Sequence, residues 1–461
     1  MTTHARIRTA ILLRMMRRQM SSETLTAFFA LTLSMLALPA MAQPAPNARP
    51  TGGVVTAGSA TINASGATTT INQASQLAAI NWQSFDVGSQ QTVRFAQPSA
   101  SASTLNRVIG PNPSQIAGRI DANGQIVIVN QSGVTFYKGA QVNAQGLIVS
   151  TAGISNENFM AGGLVFDQPG NPNAQVVNNG KLTIKQAGLA ALVAPSVVNS
   201  GTISAPLGHV VLAGAQTATI DLFGDGLVSL DVSNAVTQVP VGSGGKPVTA
   251  LVTNTGVIRA NGGTVQLTAR AADGLLQNLV QAGGRLVADT KGGKTGEIIM
   301  TGIGGSVVVS GQVLAESIAP GSVGGQVEAD SDHVVTLTAT ANVDVSGPAG
   351  GGTVAIGTTL ARAEGGPGTV SAMTANNVSV DNGATIAANA SSNGNGGRIS
   401  VLSSQPDGST SMGGAISATG GPNGGDGGFV EVSGGFLAVT GQINVAAPHG
   451  VLGTILLDPS H

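Results

Sequence analysis

Apolar and polar residues alternate along most of this chain with a period of two. In GRIDANGQIVIVNQSGVTFYKGAQVNAQGLIVST, residues 118–151, short apolar runs (IVIV, VTF, LIV) are cut by Asn-Gly, Ser-Gly, Lys-Gly and Gln-Gly. A period of two is the strand signature, because successive side chains point to opposite faces. The Gly and Asn pairs read as sharp corners between strands. No period of 3.6 persists beyond the first 42 residues, and glycine this dense would weaken helices.

The pattern repeats. NSGTISAPLGHVVL (199–212) aligns with NTGVIRANGGTVQL (254–267) at Asn199/Asn254, Gly201/Gly256, Ile203/Ile258, Ala205/Ala260, Gly208/Gly263, Val210/Val265 and Leu212/Leu267. Asn178, Gly180 and Leu182 form a degenerate third copy, 21 residues before Asn199. A second unit, Gly-Gly-x-[Val/Ile]-x-apolar, starts at Gly262, Gly304, Gly324, Gly351, Gly396 and Gly427. A unit of about 20 residues cannot bury its inward Val, Ile and Leu alone, so such units stack and share one core. The fold expected is all-β, a parallel β-helix of roughly 20 coils. Gly is expected at corners with positive φ, and Asn199 in an amide ladder running from coil to coil. A β-sandwich or β-propeller array is the alternative, without a hairpin alternation or blade-sized repeat to support it.

Composition sharpens this picture. Gly accounts for 67 of 461 residues, charged residues for 9% and aromatics for 3%, against about 7% Gly and 25% charged in ordinary globular chains. The Val, Ile and Leu content excludes a disordered chain. Cys is absent, so an exported form could not be cross-linked in an oxidising compartment.

The N-terminus carries Arg6, Arg8, Arg14, Arg17 and Arg18, then the apolar run LTAFFALTLSMLALPAMA (25–42). That is the layout of a secretory signal peptide over residues 1–42, cleaved after Ala40-Met41-Ala42 and before Gln43. Its removal takes five of the 20 basic and one of the 22 acidic residues, leaving a net charge near −6. A weakly acidic chain has no electrostatic case for nucleic acid.

Residues 85–162 carry ordered elements: Phe85-Asp86-Val87-Gly88, Gln97-Pro98-Ser99-Ala100, Leu105-Asn106-Arg107-Val108, Pro113-Ser114-Gln115-Ile116, Asn123-Gly124-Gln125, Asn130-Gln131-Ser132-Gly133-Val134 and Gly146-Leu147-Ile148-Val149-Ser150-Thr151. Together they resemble the N-terminal secretion domain of filamentous-haemagglutinin-like exoproteins, the passengers of two-partner secretion. The resemblance implies a right-handed parallel β-helix with an N-terminal cap. It implies a secretion domain over 43–170 and a β-helix repeat region over 171–461; family members usually continue past the Leu-Asp-Pro segment, so the end at His461 reads either as a small exoprotein or as a truncated reading frame. It further implies an adhesin-like product at the cell surface or released, with no cofactor. Its partners would be the Sec translocon, an outer-membrane transporter with periplasmic receptor domains, and an unknown host or cell-surface ligand. Asn130, Gln131, Ser132, Gly133 and Val134 stand where the family carries an Asn-Pro-Asn-Gly-Ile/Val turn. Gln131-Ser132 depart from it, yet Ser-Gly still supports a tight turn.

Enzymatic and metal chemistry finds little support. His209, His333, His449 and His461 fall in no metal-ligand spacing, and no Gly-x-Ser-x-Gly elbow sits between strand and helix signals. GGKTG (292–296) reads as a Gly corner with a surface Lys294. In GGDGGFVEV (424–432), Phe429 stands where a calcium-binding nonapeptide needs Asp. The alternative function is a β-helical polysaccharide lyase or hydrolase using Asp221, Asp225 and Asp231, with Asp225 equally explained as a turn residue. A haem-source-binding exoprotein is a further alternative, with no haem ligand pair marked. Trp82 and Phe85 are expected to pack an N-terminal cap.

Overall fold

Stacked strands join laterally into three long sheets. The structure, a computed structural model, describes residues 43–222, 228–242 and 244–461, of which 43–242 and 247–461 form the coil-bearing body. The signal peptide expected at 1–42, with Ala40 and Ala42, lies outside the described residues. From Ser114 onward each coil places one strand in each sheet. One coil, for example, runs through Val134–Phe136, Gln141–Ala144 and Gly146–Ser150. Sheet I contains Gly146–Ser150 and has 14 strands, sheet II contains Val134–Phe136 and has 11, and sheet III contains Gln141–Ala144 and has 14. Pairing is parallel from coil to coil, as in Gly146↔Gln125 and Leu147↔Ala190. The fold is a parallel β-helix.

The first strands cap it. Ala60–Ser65 pairs antiparallel with Thr68–Gln73, and Val54–Ala57 antiparallel with Leu77–Trp82. Trp82 and Phe85 are buried beneath this cap, edge to face with centroids 5.6 Å apart, and the Trp82 indole donates to Asn106 Oδ1 at 3.1 Å.

The repeats align as the sequence suggests. Leu182, Ile203 and Ile258 stack in register, as do Val210/Val265 and Leu212/Leu267. These side chains belong to one buried core that runs from Ile71 to Val432. The coils are fewer than the roughly 20 expected. Three excursions explain the difference: 151–174, 215–251 and 357–376 all leave at the corner between sheets I and II. At about 4.8 Å per step, the 14 strands of sheet I rise roughly 60 Å.

Two excursions build a second layer. Leu164–Phe166 pairs antiparallel with Thr217–Leu222, which pairs antiparallel with Val228–Asn234. Helix α1 (Asn156–Met160), capped by the Ser155 hydroxyl, precedes this small sheet. Phe159, Phe166, Ala218 and Ile220 pack with Val127, Val129, Ile148, Ala191 and Val193 from the outer face of sheet I. This accounts for IVIV. Ile126 and Ile128 face the central core, whereas Val127 and Val129 face the second layer. Strands buried on both faces lose the alternation of half-buried ones. Alternation returns in Glu297–Ile303, beyond the cover.

The glycines bear out one expectation and add to it: Gly133, Gly139 and Gly262 turn corners with positive φ, but a second set does not. Gly188, Gly208, Gly263, Gly296, Gly325, Gly352, Gly397, Gly428 and Gly453 succeed one another at the corner between sheets III and I, and none has positive φ. Their role is steric. A Cβ on Gly263 would lie 1.9 Å from Gly208 O, and one on Gly397 would lie 2.1 Å from Gly352 O. Those carbonyls accept from the next strand, as in Thr264 N to Gly208 O and Arg398 N to Gly352 O, both 3.0 Å. Five of the six Gly-Gly units sit at this corner. The sixth, Gly304-Gly305, precedes Ser306–Val309 of sheet II instead.

Gly397→Val should therefore lower the urea midpoint by an amount equivalent to about 2 kcal/mol or more. Gly163→Ala, whose nearest neighbour would be Asn158 O at 3.4 Å, should change it by less than about 0.5 kcal/mol. Equal effects would remove steric closeness as the reason for the column.

Candidate functional site

The Asn130–Val134 segment is the corner between Gln125–Asn130 of sheet I and Val134–Phe136 of sheet II. Asn130 O accepts from Gly133 N at 2.9 Å, closing a tight turn. Gly133 has φ 114°, a conformation that disfavours any Cβ. The Asn130 side chain is buried and fully used. Its Oδ1 accepts from Ser132 N at 2.9 Å, and its Nδ2 donates to Asn112 O and Ser114 Oγ, both at 3.0 Å. Ser132 Oγ donates to Pro111 O at 2.7 Å, and exposed Gln131 donates to Pro169 O at 3.2 Å. Val134 is buried and stacks between Ser114 and Val176. All five residues come together in one corner that ties three consecutive coils.

The other motif residues also spend their polar groups inside. Asn106, fully buried, meets Trp82, Thr104 O at 3.2 Å and Val127 O at 3.4 Å. Gln97 donates to Ala102 O, Thr104 Oγ1 and Gln125 O and accepts from Gly124 N, all within 3.1 Å. Asp86 Oδ1 accepts from Gln115 N at 2.8 Å, while burial raises its carboxyl above the usual range. Arg107 donates to Asn81 Oδ1 at 2.9 Å and to Ile154 O at 2.6 Å, tying the first coils to the second layer. Sequence reasoning quoted Arg107 without assigning this clamp, because Ile154 lies 47 residues away.

Further along, the expected amide ladder is present. Asn178 Nδ2 donates to Asn199 Oδ1 at 2.8 Å, and Asn199 Nδ2 to Asn254 Oδ1 at 2.7 Å. All three are fully buried. The ladder crosses the 215–251 excursion unbroken.

Several charged groups escaped the sequence reading. Helix α2 (Leu360–Gly365) lies on the outer face of sheet I. Leu360 N donates to Glu328 Oε2 at 2.8 Å, and Arg362 makes two bonds to the buried Glu431 carboxylate at 2.7 and 3.1 Å. A cavity of about 380 Å³ beside this pair is lined by Thr358, Thr369, Ser371, Ser403 and Asp458. Both Glu431 oxygens are taken up by Arg362. His333 is held between Asp332 Oδ1 at 2.8 Å and Asp273 Oδ1 at 2.7 Å. Apart from the adjacent Asp332, these partners are 32, 60 and 69 residues apart in sequence, so no local spacing announced them.

The proposed enzymatic carboxylates fare differently. Asp221 and Asp231 stand on paired antiparallel strands, opposite Ser229 and Thr219; Asp225 lies outside the described residues. Lys294 is exposed at the tip of its Gly corner, and Phe429 opens a strand of sheet I. Among the described residues, no group of three or more His, Cys, Asp or Glu is placed to hold a metal ion.

A β-helix with this locked first region defines a class of secretion domain. A family model described as the TPS secretion domain, that of two-partner secretion, matches residues 47–315, and the chain belongs to that family. It is a secretion and passenger domain family, not a known enzyme family. The heme/hemopexin-binding protein of Haemophilus influenzae strain Rd is 32% identical over 259 residues, 55% of this chain and 27% of that protein. A second Haemophilus influenzae heme/hemopexin-binding protein is 46% identical over 82 residues, 18% of this chain and 9% of that one. The chain thus spans only about a quarter or less of the length of these relatives. The crystal structure of the HMW1 secretion domain from Haemophilus influenzae superposes with TM-score 0.68 and 29% identity, covering 88% of this chain and all of that one. Membership implies an exported protein of a Gram-negative cell and an outer-membrane transporter as partner.

One buried acid gives a pH prediction. Asp330 on sheet I is fully buried, its Oδ2 without a hydrogen-bond partner. Burial pushes its carboxyl from 3.8 up to about 7, with Glu328 and Asp332 adding repulsion. Between those values the folded chain keeps a proton that the unfolded chain has lost, so stability falls as pH rises from about 4 to about 7. Asp330→Asn should exceed the parent in urea midpoint at pH 8, by on the order of 2 kcal/mol, with the gap closing near pH 4. A gap independent of pH would show that ionisation of Asp330 is not the cause.

Proposed function

We propose that this chain is the exported, adhesin-like partner of a two-partner secretion system. The observation that carries the reading is the secretion-domain match over residues 47–315, which contains the Asn130–Val134 corner with Asn130 and Val134 buried. Residues 1–42 serve as a Sec signal peptide cleaved before Gln43. The periplasmic receptor domains of the transporter then recognise the unfolded region within 43–170, and 171–461 follows as repeat coils. Gln131-Ser132 supply the turn in place of Pro-Asn.

Direction comes from folding at the exit side. Each coil that stacks buries apolar area, and each new strand takes up the edge hydrogen bonds of the one before it. The first coils, capped and polar-locked, provide the edge on which the rest assemble. The product is displayed or released, where an adhesive contact with a cell-surface ligand is its work. The relatives' names speak of haem or hemopexin. In this chain, His209 and His333 belong to different coils and His333 is already held by two carboxylates, which favours the adhesin-like reading.

Asn130→Ile leaves Asn112 O and Ser114 Oγ without their donor and buries a bulkier group in the corner. Expressed in a Gram-negative host with the cognate transporter, the variant should reach the medium and cell surface at a level reduced about fivefold or more, with synthesis unchanged. Immunoblots of whole cells, surface and medium measure both. Secretion equal to the parent's would remove the corner from the mechanism, and parent secretion without any transporter would remove the two-partner reading.

A further inference from the structure

The weakly acidic net charge conceals a local surplus of the opposite sign. Over the coils from Thr92–Ala96 to Val257–Arg259, sheet III exposes Arg94, Arg119, Lys181 and Arg259, with exposed Lys185 one residue past the end of Lys181–Ile184. Arg119 and Lys181 share one column, two coils apart, through Gln141. Arg94 and Arg259 share the neighbouring column, five coils apart, through Asp121, Asn143, Thr183 and Ser204. At about 4.8 Å per coil the two ends are roughly 24 Å apart along the stack.

One carboxylate, Asp121, shares this stretch of the face. It is bonded to Arg119 and Asn143. Its burial is outweighed by those bonds and by the charge of Arg94, which together hold it below the usual range. Arg94 stands opposite the same Asp121, whereas Lys181, Lys185 and Arg259 have no acidic residue beside them on their strands. The surplus is also bounded. The next cation, Arg285, lies beside Asp289 and Glu316. The later strands of the sheet, from Gln312–Leu314 to Gln442–Asn444, carry no Lys or Arg. A shallow depression of about 450 Å³ opens at the basic end, lined by Arg94, Gln97, Asp121, Asn123, Asn143 and Lys185.

The face suits one kind of partner. None of the exposed large apolar side chains lies on sheet III, so a membrane would find no apolar anchor. No exposed aromatic is there to stack bases, as single-stranded nucleic acid requires. A row of exposed cations interleaved with amides and hydroxyls matches regularly spaced anions joined by polar sugar rings. We propose that this face binds an extended acidic polysaccharide laid along the stack, its sulfate or carboxylate groups meeting Arg94, Arg119, Lys181, Lys185 and Arg259. The proposal rests on the folded chain alone and stands or falls independently of the export reading.

The test titrates the purified full chain with dextran sulfate, alginate, uncharged dextran, single-stranded DNA and phosphatidylglycerol vesicles. Dextran sulfate, alginate or both should bind, and dextran should not; the stronger of the two identifies sulfate or carboxylate as the anion. Raising salt from about 50 to about 500 mM should weaken binding by about tenfold. Lys181→Glu/Arg259→Glu should weaken it about tenfold more than Lys291→Glu/Lys294→Glu, an equal charge change at an exposed Gly corner. Circular dichroism confirms that both variants keep the parent's strand signal. The proposal is overturned if neither acidic polysaccharide binds, if both double variants lose binding equally, or if DNA or vesicles bind more tightly than the polysaccharides.

Discussion

Coils in this protein touch backbone to backbone at their corners, and that contact sets most of what the chain is allowed to be. Where sheet III turns into sheet I, the carbonyl of one coil sits where a Cβ of the next would be, from Gly208 through Gly453, except at Gly296, which is crowded by Ala288 O of its own coil. The same carbonyl accepts the first hydrogen bond of the following strand. The glycine content thus follows from spacing between coils rather than from loop flexibility. A second column, Gly180, Gly201, Gly256, Gly284 and Gly311, does the same at the corner between sheets II and III, with Ala341 and Ala384 carrying it further.

With two corners closed in this way, specificity moves inward. Register is held by apolar columns such as Leu182–Ile203–Ile258 and by buried amides whose partners lie in adjacent coils. The Asn178–Asn199–Asn254 ladder rewards only the correct pairing, since a slip would leave buried amide groups unpaired. Near the N-terminus the polar locks are denser, at Gln97, Asn106 and Asn130, and the antiparallel cap blocks the exposed edge. A first region that is specified in this manner is a suitable template for the coils behind it.

The architecture was legible in the sequence because a repeat writes its geometry many times. The alignment of 199–212 with 254–267 named the core columns and the ladder. Positive φ explains only some of the corner glycines, such as Gly133 and Gly262; the steric column went unread, since a clash with another coil leaves no trace in local spacing. The coil number was overestimated because excursions resemble coils in composition. IVIV carried a hint of the second layer, being too continuously apolar for a strand with one wet face. The Asn130–Val134 turn was legible from its residues, whereas its locks at Asn112, Ser114 and Pro169 were not. The Arg362–Glu431 pair was invisible, joined only by three-dimensional stacking. So was the basic stripe of sheet III, whose members are scattered over 166 residues and cancelled in the total charge.

The third corner, between sheets I and II, has a different character. All three excursions leave and return there, and the coils on either side remain in register, as Asn199 against Asn254 shows across 55 residues. Lengthening a loop costs free energy only logarithmically, whereas widening either glycine corner would prise coils apart. The molecule therefore has one seam along which new segments can be grafted without redesigning the stack. Diversification of such a protein, natural or engineered, would be concentrated along that seam.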